Sequence, residues 1–363
     1  MIAAMDVVGN PSSVHGEGRA AKTLVERARA QVAQAFGAEG ADVIFTSGAT
    51  EAAALALAGG ADGSRNFPSP VEHDAVAAWH RGDDGAAPSL SEDWRFGPDG
   101  ALVASFGSGL MAECLSEGRR RIVSVTAANS ETGILHDTQA FASDAGAGTS
   151  HRLFVDATQA FGKTPFAFNW SGADMAICSA HKLGGPKGIG ALVVKRGTDL
   201  AAQIKGGGQE MGRRSGTENV VGIAGFGAAA EAAARDLAEG RWVLVEKLRN
   251  ILESAIEVSA KGAIFVGKSA SRLPNTSCFA VPGWKGETQV MQMDLAGFAV
   301  SAGSACSSGK VRGSRVLTAM GYGPDVASCA IRVSLGLDTT ESDVGRFVET
   351  WLTKYEKHRA RAA

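Results

Sequence analysis

Residues 175–188 read Met-Ala-Ile-Cys-Ser-Ala-His-Lys-Leu-Gly-Gly-Pro-Lys-Gly, an apolar run followed by a lysine and a glycine-rich turn. The run is typical of a buried strand, and the glycines and the proline end it. A lysine at a strand end can be partly desolvated, which lowers its pKa and suits Schiff-base chemistry. Taken alone, Lys182 is more often a solvated surface charge. Its function therefore depends on what the neighbouring strands bring beside it.

Similar apolar runs alternate with helical stretches through the first two thirds of the chain. The predicted strands are 43–46, 122–126, 153–157, 175–179 and 191–195. The predicted helices are 13–36, 52–58 and 224–237. The alternation indicates an α/β domain, residues 1–238, with a largely parallel sheet flanked by helices.

From about residue 239 the pattern changes, and residues 239–363 predict a smaller α+β domain. Its predicted elements are a helix over 242–256, strands near 264–266, 277–281, 299–301 and 331–335, and a final helix from about residue 340. Thr340 and Asp343 have the spacing of a capping box at the start of that helix.

Composition excludes several classes of protein. A net charge of −2 and a pI near 6.4 give no electrostatic reason to expect a nucleic acid or an anionic membrane as partner. The five cysteines are scattered without a C-x-x-C pair, which argues against a metal site and fits a reducing compartment. No basic leader and no apolar run of the roughly 20 residues that span a membrane is present. We therefore expect a cytoplasmic protein.

Polar groups follow several of the predicted strands. The turn Ser-Gly-Ala-Thr-Glu at 47–51 joins a strand to a helix, so that backbone amides and Thr50 can bind phosphate. Asp156 ends another strand, where its carboxylate can keep a pyridine nitrogen protonated. Ser179 and His181 add further phosphate donors beside Lys182. Because the carboxyl ends of parallel strands converge, these groups together describe a cradle for pyridoxal phosphate.

Further motifs extend this pattern along the chain. They are Asn-Pro-Ser-Ser-Val-His at 10–15, Val-Glu-His at 71–73, Gly-Gly-Gly-Gln-Glu at 206–210, Arg-Ser-Gly-Thr at 214–217, Ser-Ala-Gly-Ser-Ala-Cys-Ser-Ser-Gly at 301–309 and Ile-Arg-Val-Ser-Leu-Gly at 331–336. With these motifs the chain resembles the cysteine desulfurases, within the class V aminotransferase branch of the fold-type-I pyridoxal-phosphate enzymes. The resemblance covers nearly the whole sequence.

The resemblance implies three catalytic residues. Lys182 holds the cofactor through a Schiff base and then moves protons. Cys306 receives the sulfur as a persulfide, and its small polar neighbours are consistent with an accessible thiol. His73 stacks on the cofactor ring and acts as an acid or a base.

The resemblance also implies how cofactor and substrate are bound. Asp156 pairs with the pyridine nitrogen, and Gln159 donates to the phenolic oxygen. Arg332 binds the substrate carboxylate through its planar fork. The residues implied to hold the phosphate are Ala49, Thr50, Ser179 and His181, with Thr217 reaching it from a second subunit. That last contact implies a homodimer with two shared sites.

Two departures from the family pattern stand out. The family reads Asn-Asn-Glu where this chain has Asn129, Ser130 and Glu131. The second asparagine contacts cofactor and substrate, so we expect Ser130 to make that contact weakly or through water, or Asn129 to replace it. The family's initial segment, of Leu-Asp-Asn-Ala-Ala-Thr-Thr type, is missing before Met1, so we expect a shortened member or a start that lies upstream.

The implied reaction removes sulfur from L-cysteine, leaves L-alanine and passes the persulfide sulfur to an acceptor, an iron–sulfur scaffold or a sulfur carrier. Two alternatives stay open. One is a related pyridoxal-phosphate reaction, selenocysteine cleavage or amino transfer, which does not need Cys306. The other is a member of low or no activity that acts as a binding partner.

Overall fold

The computed structural model describes residues 1–58, 64–79, 94–104, 121–144, 151–303 and 313–362. The chain divides into two compact units. Unit 1 comprises Met1–Arg95, Ala104–Ala128 and His136–Glu239. Unit 2 comprises Phe96–Val103, Asn129–Leu135 and Gly240–Ala363. No helix in the described ranges is long and apolar enough to cross a membrane.

Unit 1 is built on a six-stranded sheet. Its strands are β1 (Asp42–Thr46), β2 (Arg65–Pro68), β5 (Arg121–Thr126), β6 (His151–Asp156), β7 (Met175–Ser179) and β8 (Gly190–Val194). Strands β3 (Trp94–Phe96) and β4 (Leu102–Ala104) form a separate two-stranded sheet. The six strands lie in the order β1-β8-β7-β6-β5-β2. The pairs β2–β5, β5–β6 and β6–β7 are parallel, whereas β8 runs antiparallel to both β1 and β7.

The helices of unit 1 cover this sheet. They are α1 (Ile2–Met5), α2 (Gly16–Ala35), α3 (Ala49–Leu57), α4 (Asp74–Ala77), α5 (Thr138–Asp144) and α6 (Val220–Ala238). Helix α2 packs against α6 with its buried Ala21, Val25, Ala28 and Val32, which recur at helical spacing. The α/β class with a mostly parallel sheet is thus confirmed. The five strands predicted for it begin and end within two residues of their predicted bounds, whereas β2 was not predicted.

Unit 2 contains a four-stranded antiparallel sheet in the order β11-β12-β10-β9. These strands are β9 (Ile264–Phe265), β10 (Thr276–Ala280), β11 (Ser301–Ala302) and β12 (Ala330–Ser334). Its helices are α7 (Arg241–Ser259), α8 (Gly286–Asp294), α9 (Arg315–Ala319), α10 (Pro324–Ala327) and α11 (Glu341–Ala362). The core packs Trp284 and Trp351 against apolar residues of α7 and the sheet. The predicted capping box is confirmed, because Thr340 and Asp343 exchange hydrogen bonds at the start of α11.

Candidate active site

The sheet register of unit 1 brings the ends of several strands to one edge. Asp156 is the last residue of β6 and lies opposite Thr126, the last residue of β5. Ser179 ends β7 opposite Gly190, and Gly190 lies opposite Thr46 at the end of β1. The residues that follow these strands therefore extend from the same edge, as expected for the ligand edge of an α/β sheet.

The turn that follows β1 packs closely on β7 and β8. A Cβ added to Gly190 would lie 2.7 Å from the Gly48 Cα and from the Cys178 carbonyl oxygen, so this approach requires glycine. Gly48 precedes α3 and has no side chain to cap it. The first amides of α3, those of Ala49 and Thr50, therefore remain available to an anion.

Ser179 and His181 stand next to this turn. A Cβ added to Gly48 would lie 3.9 Å from the Ser179 Oγ, and that oxygen lies 2.8 Å from the His181 Nδ1. Burial lowers the pKa of His181, and the positive charge of nearby lysines, first Lys182, lowers it further. The neutral ring, the hydroxyl and the helix amides form a donor set that suits phosphate.

Lys182 lies directly after these donors. It ends the short 3-10 turn Ala180–Lys182 that follows β7, and its side chain is exposed. The turn places Lys182 one residue beyond His181 at the same edge of the sheet. An exposed amine beside a phosphate donor set is accessible to an aldehyde cofactor.

Asp156 and the residues after it supply polar groups beside the phosphate donors and Lys182. The Asp156 carboxylate is buried and accepts from the Thr158 N–H at 2.9 Å. The Thr158 Oγ1 is buried and has no hydrogen-bond partner among the residues that the structure describes. An unsatisfied buried hydroxyl costs about 1–3 kcal/mol, which a bound polar ring would relieve. This chemistry fits pyridoxal phosphate, whose ring nitrogen Asp156 would bind.

Gln159 has a partner that the sequence analysis did not identify. Lys163, which is 8% exposed, donates from its Nζ to the Gln159 carbonyl oxygen at 3.0 Å and to its side-chain Oε1 at 3.1 Å. Because the Gln159 Oε1 accepts from Lys163, the N–H donors of the Gln159 amide point away from Lys163. The four-residue spacing of Gln159 and Lys163 is the only sequence signal for this pair.

The 71–73 motif is tied to the end of β5. The buried Glu72 carboxylate accepts from the Thr126 N–H at 2.6 Å and from the Ser69 hydroxyl at 2.5 Å. His73 follows it and caps α4, its Nδ1 accepting from the Ala75 N–H at 3.1 Å. This bond fixes the tautomer of neutral His73, with the proton on Nε2.

The segment that leads to Thr217 is held in an unusual backbone conformation. Glu210 and Met211 have φ values of 47° and 59°, in the left-handed region. Such residues cost about 1–2 kcal/mol each. The buried Glu210 carboxylate accepts two bonds from Arg29, at 2.7 and 2.9 Å, and a third from the Phe45 N–H at 2.9 Å. These charge-assisted bonds hold the strained residues against α2 and β1.

A second ion pair ties the same segment to α3. The Arg214 Nε lies 2.8 Å from the Glu51 Oε1, and the Glu51 Oε2 accepts from the Ser47 N–H at 2.8 Å. Burial acts to raise the pKa of Glu51, but the bonds to Arg214 and Ser47 outweigh it and leave that pKa lowered. Glu51 thereby fixes the start of the 47–50 turn. Thr217, three residues after Arg214, is exposed.

Unit 2 holds the arginine implied in substrate binding. Arg332 lies on β12 and donates to the Ser130 carbonyl oxygen at 2.5 Å and to the Ser301 Oγ at 3.2 Å. Its Nε is buried and has no hydrogen-bond partner in the described part of the chain. A half-buried guanidinium with a remaining donor can take a carboxylate.

The segment that replaces the family's Asn-Asn-Glu is a closed turn. The Asn129 side-chain oxygen accepts from the backbone N–H groups of Glu131 and Thr132, each at 2.9 Å. That oxygen is thus engaged within the turn. Ser130 presents its carbonyl to Arg332, and Glu131 accepts from the Ser314 hydroxyl at 2.5 Å.

Cys306 lies outside the described residues, but both flanks of 304–312 are described. Ser301 precedes the segment and contacts Arg332, whereas Ser314 follows it and contacts Glu131. A Cβ added to Gly303 would lie 3.2 Å from the Ser314 Cβ, so the two flanks lie side by side. Glu131 therefore contacts the flank that follows the segment containing Cys306, and Arg332, which is bonded to the Ser130 carbonyl, contacts the flank that precedes it.

The described cysteines are poor nucleophiles. Cys178, Cys278 and Cys329 are buried. Burial raises the pKa of Cys278 to about 12 and raises that of Cys178 further. Because the thiolate is the reactive form, these side chains are structural.

Comparison with known proteins identifies the family of the chain. The aminotransferase class-V family model matches residues 3–347, and the chain belongs to that family. A cysteine desulfurase from Cereibacter sphaeroides is 39% identical over 94% of this chain and 87% of its own length. A cysteine desulfurase IscS from Dictyoglomus turgidum is 34% identical over 97% of this chain and 88% of its own length.

Solved structures give the same result. A NifS-like protein from Rickettsia africae superposes with a TM-score of 0.84 at 32% identity, covering 98% of this chain and 94% of that protein. The cysteine desulfurases of this family are pyridoxal-phosphate enzymes. Within the class-V aminotransferases, this chain is an enzyme of the cysteine desulfurase group.

Proposed function

We propose that the chain binds pyridoxal phosphate on Lys182, takes the sulfur atom of L-cysteine onto Cys306 and releases L-alanine. The observation that carries the proposal is the edge of unit 1. There Asp156 and Ser179 end neighbouring strands, and Thr158 and His181 follow them. The Thr158 hydroxyl is buried without a partner among the described residues, and the Ser179 Oγ contacts the His181 ring. This combination matches a ring nitrogen and a phosphate better than it matches any purely apolar ligand.

The cofactor-binding roles follow from these contacts. Asp156 keeps the pyridine nitrogen protonated, and the Gln159 amide donates to the phenolic oxygen. The phosphate is bound by the amides and side chains of Ala49, Thr50, Ser179 and His181. His73, with its donor on Nε2, stacks on the ring, and Asn129 and Ser130 complete the cofactor contacts. When bound, pyridoxal phosphate withdraws electrons from the bonds at the substrate Cα.

The protein's own groups move the protons and orient the substrate. Arg332 binds the substrate carboxylate with its fork, assisted by Ser130. The Lys182 Nζ accepts the proton that leaves the substrate Cα, and His73 acts as a further acid or base. These roles separate binding of the carboxylate from the chemistry at Cα.

Sulfur transfer needs no external reductant or oxidant. The Cys306 thiolate forms a bond to the substrate sulfur while the bond from that sulfur to Cβ breaks. The electron pair of the broken bond stays on carbon, which takes up a proton and ends as the methyl group of alanine. The transferred sulfur remains as a persulfide on Cys306, ready for a protein acceptor. The thiols of Cys178, Cys278 and Cys329, which are buried, cannot readily take this role.

Quaternary structure and location belong to the same proposal. Thr217 is exposed on the single chain, as expected of a residue that reaches the phosphate bound to a second subunit. We therefore propose a cytoplasmic homodimer that delivers sulfur to an iron–sulfur scaffold or a sulfur carrier. Sedimentation of the purified holoenzyme tests the dimer, and a monomer that retains activity contradicts it.

Mass spectrometry of Cys306 is the direct test. After incubation with L-cysteine, we expect one added sulfur atom on the peptide that contains Cys306, with alanine as the product. Cys306→Ala should abolish the added sulfur, whereas Cys329→Ala, at a buried position, should retain it. Full sulfide release by Cys306→Ala would refute the nucleophile assignment. Turnover that requires a keto acid would instead indicate amino transfer.

Visible absorption tests the cofactor assignment separately. The holoenzyme should absorb in the visible range because the cofactor is joined to Lys182, and Lys182→Ala should lose that band. The control is Lys187→Ala, an exposed lysine in the same glycine-rich turn. An unchanged band in Lys182→Ala would refute covalent binding at that residue.

A further inference from the structure

Helix α7 carries an apolar stripe that stays exposed among the residues that the structure describes. Leu244, Ile251 and Val258 are seven residues apart and are 62%, 44% and 76% exposed. Leu248 and Ala255 fill the intervening positions and pack at the edge of the unit 2 core. We call these five residues the α7 stripe. An exposed helix face normally carries polar side chains, so a continuous apolar stripe indicates a binding surface.

The spacing of the stripe matches one kind of occupant. Steps of four and three residues, from 244 to 248, 251, 255 and 258, are those of the apolar seam of a coiled coil. Such a seam accepts a second helix, whose apolar side chains insert between its own. An extended peptide has a two-residue side-chain period and does not match this repeat.

The charges beside the stripe define the partner further. The exposed carboxylates of α7 are already paired, Glu246 with Arg249 at 3.0 Å and Glu257 with Lys268 at 2.5 Å. Lys247 follows Leu244 by three positions on the helix, and Lys261 lies two residues past the helix end at Ser259. Neither lysine forms an ion pair within the described residues. The edge of the stripe is therefore positively charged, and it favours carboxylates on the partner.

A second copy of this chain is a poor occupant. When two copies pair about a two-fold axis with their α7 helices antiparallel, the lysine edge of one helix meets the lysine edge of the other. Like charges in that arrangement repel. The opposite edge of the stripe offers no compensating carboxylate, because Val245 and Leu252 there are buried in the core.

We propose that the α7 stripe is the docking surface for an amphipathic helix of a partner protein, with leucines at heptad spacing and Glu or Asp beside Lys247 and Lys261. The surface is distinct from the residues assigned to cofactor and substrate. It adds a protein partner that is recognised by helix pairing, independently of sulfur transfer.

Two synthetic helical peptides test the proposal on the holoenzyme. Both carry leucines at heptad spacing, and their flanking positions carry glutamates in one and lysines in the other. Fluorescence anisotropy should give a dissociation constant at least about tenfold lower for the acidic peptide. Equal binding of both peptides, or binding of neither, would overturn the proposal.

Substitutions locate the binding on the stripe. Leu244→Ser with Ile251→Ser should weaken binding of the acidic peptide by about tenfold or more, since both exposed side chains belong to the stripe. Val243→Ser is the matched control, because Val243 is 54% exposed on the same helix but lies off the stripe. Lys247→Glu with Lys261→Glu should reverse the preference between the peptides. Unchanged affinities in these variants would place the peptides elsewhere and refute the docking surface.

Further measurements test whether the substitutions change the fold, the cofactor content or the oligomeric state. Near-ultraviolet circular dichroism and the cofactor absorbance should be unchanged in all variants, since the stripe is exposed. Sedimentation should also be unchanged. If Leu244→Ser with Ile251→Ser converts a dimer to a monomer, a second copy covers the stripe and the proposal is wrong.

Discussion

The edge of unit 1 that we propose binds the cofactor and the arginine of unit 2 that we propose binds the substrate are held in place by different means. In unit 1, Asp156 and Ser179 are the last residues of paired strands, so the backbone ladder sets their positions. In unit 2, Arg332 is oriented by bonds to the Ser130 carbonyl and the Ser301 hydroxyl. Backbone ladders tolerate single side-chain changes, whereas a side-chain network depends on each member.

This difference predicts that substitutions in the two regions have different effects. Changes at Arg332 and Ser314 in unit 2 should alter substrate binding or local stability and leave the cofactor in place. Changes at the unit 1 edge should weaken cofactor binding by the free energy of one hydrogen bond and leave the fold intact. Substitutions at Arg332, Ser314, Ser179 and His181 test this contrast.

Arg332→Ala is expected to have the largest effect. Loss of the guanidinium removes the fork for the substrate carboxylate and should raise KM for L-cysteine by on the order of 100-fold, or about 3 kcal/mol. The dissociation constant of pyridoxal phosphate should stay within about twofold of the wild type. Arg359→Ala, on the exposed face of α11, is the control. A parallel loss of cofactor affinity would show that the two regions are not separable.

Ser314→Ala tests the flank of the segment that contains Cys306. The buried Ser314 hydroxyl donates to Glu131 and also accepts from the Leu317 N–H at 3.0 Å, so it caps α9. Its loss should lower the free energy of unfolding by about 2 kcal/mol, measured with urea. Ser328→Ala removes an exposed hydroxyl at the end of α10 and should cost less than about 0.5 kcal/mol. Equal costs would mean that neither the cap of α9 nor the Glu131 contact adds stability beyond that of an exposed hydroxyl.

Sequence patterns predicted unit 1 well because its site follows strand ends. The runs before Asp156 and Ser179 are apolar and bounded by turn residues, and the strands lie where the pattern places them. Strand β2 was missed, since Arg65–Pro68 is short and ends in proline, without alternating apolar residues. Its place is fixed by pairing with β5, which no local pattern encodes.

The contacts that orient the candidate site could not be predicted in the same way. Arg29 and Glu210 are separated by 181 residues, and Glu131 and Ser314 by 183. Such pairs depend on tertiary structure, and a single sequence offers no period or spacing that relates them. The motif at 206–210 identified Glu210, but its left-handed backbone and its ion pair emerge only when α2 and β1 are in place.

Ser179→Ala should have a moderate effect confined to the cofactor. The variant loses one donor to the phosphate and the 2.8 Å contact with His181, so the dissociation constant of pyridoxal phosphate should rise about tenfold, or about 1.4 kcal/mol. KM for L-cysteine should not change. Ser171→Ala, which removes a buried hydroxyl bonded to the Phe168 carbonyl, is the control. A change in KM without a change in cofactor affinity would reverse the proposed roles of the two regions.

The smallest predicted effect is a pH dependence of cofactor binding through His181. Burial, and then the charges of Lys182, Lys187 and Lys163, hold the pKa of free His181 below its usual value. A bound phosphate supplies negative charge and raises that pKa, so the complex holds more protons than the free protein between the two values. Lowering the pH through this interval should therefore strengthen binding, by about threefold.

His181→Gln isolates this contribution, because the phosphate of the cofactor also titrates near pH 6 and loses charge as the pH falls. The variant keeps a donor but cannot take up a proton. The ratio of the two dissociation constants, variant over wild type, should rise as the pH falls below about 6.5 and level off below the lowered pKa of the free protein. A ratio that is constant with pH would mean that His181 does not sense the phosphate, and Ser179 and the amides of α3 would then hold it alone. Because the strand ends set those groups, the backbone would account for phosphate binding in unit 1 without any titrating side chain.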